Sequence, residues 1–268
     1  MLLSLVTWCK KRIELGLVRD VTVQFYDPLN GHHPVAYHHV LQDRRDGPAQ
    51  QRNLTELAMK LIFVGDPMCS WCYGFHKEMA TIVEAMPTLE VQVLVGGLAA
   101  GSTQVLDDAG KQFRLGHWAR AEQLSGAQFN REALLARKNF VYDTEPVCRA
   151  VVTARLIKPS VDLLTVFGAF QRAFYVDGLD TTDGKVLAAI GASALKAAGF
   201  DVDADAFLTV WSSDEAVQIT RADFVLTRRL DVSGFPSLFV ELNGKIEQLS
   251  SGYALAASVQ QTLMRLAA

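Results

Sequence analysis

Four cysteines in 268 residues are too few for a secreted scaffold stapled by disulfides, since such scaffolds are short and dense in cysteine. Excess charge of one sign is equally scarce. A formal net charge of -3 leaves no electrostatic footprint for nucleic acid or for an anionic membrane. No stretch approaches the ~18 apolar residues that a membrane span requires. The short apolar run from Met1 to Trp8 is followed, rather than preceded, by Lys10, Lys11 and Arg12, and no small-residue cleavage site comes soon after. That order is the reverse of a secretory signal, so a cytoplasmic protein is expected. What the chain does have is apolar mass. Half of its residues are apolar and 21% are charged, ample for one domain with a large insertion or for two closely packed lobes.

Two of the few cysteines stand together. Cys69-Ser70-Trp71-Cys72 follows the apolar run Leu61 to Val64 and opens a stretch that reads as helix. Side chains at i and i+3 of a helix share a face, with Cβ atoms roughly 5 to 6 Å apart, and a disulfide needs about 3.5 to 4.5 Å. A small adjustment therefore joins or separates the two sulfurs. The unpaired N–H groups and the positive end of the dipole favour a thiolate on Cys69 over the thiol. Cys69, the more exposed sulfur in this reading, attacks; Cys72, one turn deeper, resolves. Ser70 and Trp71, between them, tune how oxidising the pair is. The competing readings are a structural zinc half-site and two inert core thiols. Zinc normally takes four ligands from two clusters and only one cluster is present, so no metal is expected.

Residues 1 to 58 are polar and turn-rich from Pro28 to Gly47, and they hold His32, His33, His38 and His39, read as solvated rather than metal-binding. Val21, Val23 and Phe25 alternate as a strand might. This segment is expected to be a poorly ordered extension or a mis-assigned start, with Met59 opening the folded chain. A strand from Lys60 to Val64, a helix from Tyr73 to Met86 and a strand from Leu89 to Val95 surround the thiols. Seven helical stretches follow: Lys111 to Leu124, Arg131 to Lys138, Pro146 to Ile157, Leu163 to Phe174, Gly184 to Ala198, Ala204 to Trp211 and Asp214 to Arg229. The strand Ser237 to Leu242, the turn Asn243-Gly244, a return strand Ile246 to Leu249 and a helix Tyr253 to Ala267 close the chain. Gly234-Phe235-Pro236 leads into the third strand, where a proline is tolerated because its nitrogen need not donate.

The run Asp66-Pro67-Met68-Cys69-Ser70-Trp71-Cys72-Tyr73-Gly74-Phe75 after an apolar strand, then a helical insert, then Gly234-Phe235-Pro236-Ser237 before a hairpin and a last helix, resembles the DsbA-like branch of the thioredoxin superfamily. Within that branch it is most similar to the cytoplasmic group of FrnE-like proteins and protein-disulfide isomerases. Asp143-Thr144-Glu145-Pro146-Val147-Cys148-Arg149-Ala150 also resembles that group's insert helix. The resemblance covers residues 59 to 268. It implies an α/β, thioredoxin-like fold from residues 59–104 and 231–268, with an all-helical insertion over 105–230.

It further implies a thiol-disulfide oxidoreductase or protein-disulfide isomerase, with Cys69 as nucleophile, Cys72 as resolving thiol and a cis-proline loop at Pro236 facing them. The backbone of Phe235 would then pair with an extended substrate segment, with Ser70 and Trp71 completing the substrate surface. Disulfide-containing proteins or small thiols are the expected partners, without nucleic acid or membrane and with a homodimer as the candidate assembly. The expected redox group is the disulfide itself, with no bound cofactor and glutathione as co-substrate. Reductase or isomerase duty is thermodynamically easier in a reducing cytosol. One alternative is a glutathione-dependent transferase or isomerase of the kappa type, whose members have Ser in place of the first Cys and would hold glutathione near Ser70 and Pro236. Another is a binding module that uses the cleft beside Trp71 and Phe235. Cys148 reads as a core thiol or a third redox partner, His76 as a helix-flank residue or a thiolate stabiliser, and Asp66 as a helix cap. Cys9 is uninformative.

Overall fold

β1 (Met59–Gly65) is the middle of the molecule because its run Leu61–Val64 is apolar on both faces and buried on both. Such a strand needs cover above and below. Leu61 and Phe63 join a large core shared with the helices, while Ile62 and Val64 pack with Leu94 and Phe239 on the opposite face. The structure, a computed structural model, describes residues 59–267. The expected extension over 1–58, with its histidine cluster, its strand at Val21 to Phe25 and Cys9, lies outside the described residues.

From β1 the chain crosses over through α1 (Ser70–Ala85) to β2 (Glu90–Val95). Helices α2 (Asp108–Ser125), α3 (Arg131–Ala136), α4 (Glu145–Ile157), α5 (Leu163–Tyr175), α6 (Gly184–Ala197), α7 (Ala204–Trp211) and α8 (Asp214–Arg229) follow. The hairpin β3 (Ser237–Leu242) and β4 (Lys245–Ser251) and then α9 (Ala256–Ala267) end the described chain. The sheet order is β2-β1-β3-β4, with β1 parallel to β2 and antiparallel to β3. Leu242 pairs with Lys245 across Asn243 and Gly244, whose φ angles of 53° and 74° are the left-handed pair that a two-residue hairpin needs. The fold is thioredoxin-like and carries a large helical insertion.

Most insertion helices open on a short polar side chain that accepts a backbone N–H, as Asp107 does from Gly110, Asp183 from Val186, Asp203 from Ala206 and Ser213 from Ala216. This satisfies donors that have no partner inside the helix. Several boundaries differ from the sequence reading, among them the start of α2 at Asp108 rather than Lys111. α1 begins at Ser70 rather than Tyr73, so the two cysteines frame its first turn. α9 begins at Ala256 rather than Tyr253, because Glu78 accepts from both the Tyr253 hydroxyl and the Ala256 N–H and holds the intervening residues outside the helix. A single bridge between Val105 and Val141 also pairs two segments of the insertion.

The free edge of β2 is closed by the insertion. Arg155 Nη1 donates to Val93 O at 3.0 Å and Asp223 accepts from Val95 N at 3.3 Å, while Arg155 and Asp223 join each other at 2.9 and 3.1 Å. An edge strand left bare would template intermolecular pairing. No helix among the described residues is long and apolar enough to cross a membrane.

Candidate active site

Cys69 is the N-cap of α1, in extended conformation, and its peptide begins the helix by accepting from Tyr73 N at 3.0 Å. Opposite it stands the loop before β3. The Phe235–Pro236 peptide bond is cis, and Cys69 Sγ lies 3.7 Å from Phe235 O. The Phe235 ring fixes that loop by lying on Gly96, where an added Cβ would come within 2.1 Å of it. Cys72 sits one turn further in, at 1% exposure against 5% for Cys69, packed so closely on Gly65 that a Cβ there would meet its Sγ at 3.3 Å. The order of exposure follows the sequence expectation, but both sulfurs are buried. The cause is the descent of the chain from β1 into α1 beneath the proline loop, with Tyr142 of the insertion donating its hydroxyl proton to Met68 O. Burial raises the Cys72 pKa, and its contact with Cys69 raises it further, so Cys72 stays a thiol beside its neighbour. Cys69, Cys72 and Cys148 are free thiols.

The same architecture occurs in proteins of known structure. A putative protein disulfide isomerase from Nitrosomonas europaea is 33% identical with a TM-score of 0.69, over 77% of this chain and 96% of its own. The chain belongs to the DsbA-like thioredoxin-superfamily proteins. The cytosolic disulfide reductase DsbM from Pseudomonas aeruginosa is 26% identical with a TM-score of 0.63, over 77% of this chain and 99% of its own, and DsbM has also been solved with glutathione. No family model matches the chain, and none of the curated proteins does. This DsbA-like protein is an enzyme of the disulfide oxidoreductase and isomerase kind.

Around its dithiol the DsbA-like protein builds a polar layer only partly visible in the sequence. Asp66 does not cap α1. Its carboxylate, fully buried, accepts from Met68 N at 2.8 Å and from Leu98 N at 2.6 Å. It reaches two residues along its own chain and across to the loop after β2, and both oxygens are engaged there. Cys148 donates to it at 3.6 Å and Thr144 hydrogen-bonds to it as well. Burial raises the Asp66 pKa, opposed by these hydrogen bonds. Cys148 is thus a core thiol with a named partner, its own pKa raised well above normal by burial and by Asp66. Asp143 accepts from Glu145 N at 3.0 Å, whereas Thr144 Oγ1 is taken up by Ala99 N at 3.1 Å.

Trp71 is half-buried. Its indole N–H donates to His117 Nδ1 at 3.2 Å, and its ring faces Tyr253 at 6.5 Å, so it both packs on the insertion and edges the site. His76 lies against α5 at Gly168; burial lowers its pKa and Asp162 opposes this. Sequence reasoning passed over Tyr142, Thr144 as a ligand of Asp66, and His117. Nothing in their local patterns marks them, because each meets the dithiol only through tertiary packing. Ser70 is 8% exposed, in the first turn between the sulfurs. Among the described residues no three His, Cys, Asp or Glu side chains gather as metal ligands.

Proposed function

We propose that this protein is a thiol-disulfide oxidoreductase or disulfide isomerase of the cytoplasm, in which Cys69 is the nucleophile, Cys72 the resolving thiol and the Phe235–Pro236 loop the platform for an extended substrate segment. The observation that carries this is the 3.7 Å approach of Cys69 Sγ to Phe235 O. It sets the reacting sulfur beside a backbone carbonyl that a substrate strand could pair with. The Cys69 thiolate attacks a substrate disulfide, forming a mixed disulfide and releasing one substrate thiolate. Cys72 then gives up its proton and attacks Cys69 Sγ, releasing the second substrate thiol and leaving a Cys69–Cys72 disulfide. Two molecules of glutathione return the pair to dithiol and leave as glutathione disulfide. Disulfide-bearing proteins and small disulfides are the substrates, with Ser70 and Trp71 edging their site.

Insulin reduction in the presence of glutathione tests the assignment. Cys69→Ser should abolish turnover and trap no adduct, whereas Cys72→Ser should accumulate mixed disulfides visible by mass spectrometry. Full insulin-reducing activity in Cys69→Ser would overturn the assignment. Thioether formation from glutathione and an electrophile, undiminished in that variant, would mark the transferase reading instead.

A further inference from the structure

A cavity of about 290 Å³ opens between α1 and α5, with Phe63 of β1 and Val91 of β2 also in its lining. Cys72 forms part of its wall, but neither Phe235 nor Pro236 lines it. It therefore reaches Cys72 without touching the substrate platform. Most of the lining is apolar, with Phe75, Met79 and Phe167 among the larger groups. Gln171 is the exception. It lines the cavity at 1% exposure, and its Nε2 has no hydrogen-bond partner. An amide N–H buried without a partner is costly and rare, and the terminal torsion of a glutamine is soft enough to turn it toward a ligand.

The charge around the opening narrows the choice. Glu84 and Asp162, both exposed, are among the lining residues, so an anion would be repelled. His76 adds an edge that lies on Gly168, where a Cβ would stand 2.8 Å from the imidazole. We propose that this cavity is a binding site for an uncharged small molecule with an apolar body and one carbonyl-type acceptor, which takes the hydrogen bond of Gln171 Nε2. At the ~30 Å³ that a water-sized group occupies in a liquid, the space holds about ten non-hydrogen atoms. The site stands independently of the thiol chemistry proposed above.

The probe is acetophenone, titrated into the ¹⁵N-labelled reduced full chain, with benzoate as the anionic match of similar size. Saturable shifts are expected in the amides of Phe75 to Val83 and Leu164 to Gln171 and in the Gln171 side-chain amide, with a dissociation constant of roughly a millimolar. Gln171→Leu should weaken binding about tenfold. Ala80→Trp, placed at an exposed lining position, should abolish the shifts by filling the opening. Benzoate should give none that saturate. Absence of saturable shifts with acetophenone, equal affinity for benzoate, or affinity unchanged in either variant would overturn the proposal.

Discussion

At the scale of single residues, the most constrained group is Asp66. Its oxygens meet two backbone N–H donors, a thiol and the Thr144 hydroxyl, yet burial still lifts its pKa above the ordinary 3.8. The folded state therefore holds the Asp66 proton more tightly than the unfolded chain does. Linkage then makes this group's contribution fall as pH rises from about 4 to its folded value, and stay level above that. Asn at this position cannot titrate, and its amide would oppose one of the N–H donors, at a cost of about 1–3 kcal/mol. Asp66→Asn should thus be the less stable protein, with a deficit that narrows as pH rises from about 4. Urea unfolding of both proteins across that range measures this; parallel stability curves would refute it. Around this cluster the two cysteines were legible in the sequence, because they stand three apart at a helix start. It did not show that Asp66 faces Cys148 and Thr144, since 78 to 82 positions separate those residues along the chain.

Elements were more legible than contacts. Periodicity located α7, α8 and β3 to the residue, because their starts are marked by Asp203, Ser213 and the Gly-Phe-Pro turn. The start of α9 moved because a tertiary partner, Glu78, overrides the local signal, whereas the start of α2 moved to Asp108 behind its own local cap, Asp107. The tie between α4, α8 and the edge of β2 belongs to this scale and had no sequence signature. Arg155 Nη2 donates to both carboxylate oxygens of Asp223, and Asp223 is 7% exposed. Burial raises the Asp223 pKa while Arg155 opposes it. Removing the cation leaves a carboxylate buried against β2 without its counterion, a loss of roughly 3–5 kcal/mol for such pairs. Arg155→Ala should lower the denaturation midpoint accordingly, and Asp223→Asn combined with it should recover much of the loss, since the stranded charge is then gone. A double variant no more stable than Arg155→Ala would show that the pair acts by packing alone.

For the described chain as a whole, the decisive fact is that one core serves both the sheet and the insertion. Leu61 and Phe63 of the central strand, Cys72 and Phe75 of α1, Val151 of α4 and Phe167, Phe170 and Phe174 of α5 lie in one continuous buried cluster. Phe63 meets Phe75 with ring centroids 6.4 Å apart and Phe167 at 5.4 Å, so the frame and the insertion touch directly beneath the dithiol. Opening the insertion would expose the underside of α1 and β1, and large apolar side chains lose about 25 cal/mol for each Å² returned to water. The insertion should therefore not open as a unit of its own. Native-state hydrogen exchange at low denaturant should give the central amides of β1, α4 and α5 a common opening free energy, equal to that of global unfolding. If α4 and α5 exchanged through an opening several kcal/mol below that of β1, the insertion would be an independent lobe. The dithiol would then be roofed by a part free to lift, and the burial of Cys69 would be gated by that motion instead of fixed by a shared core.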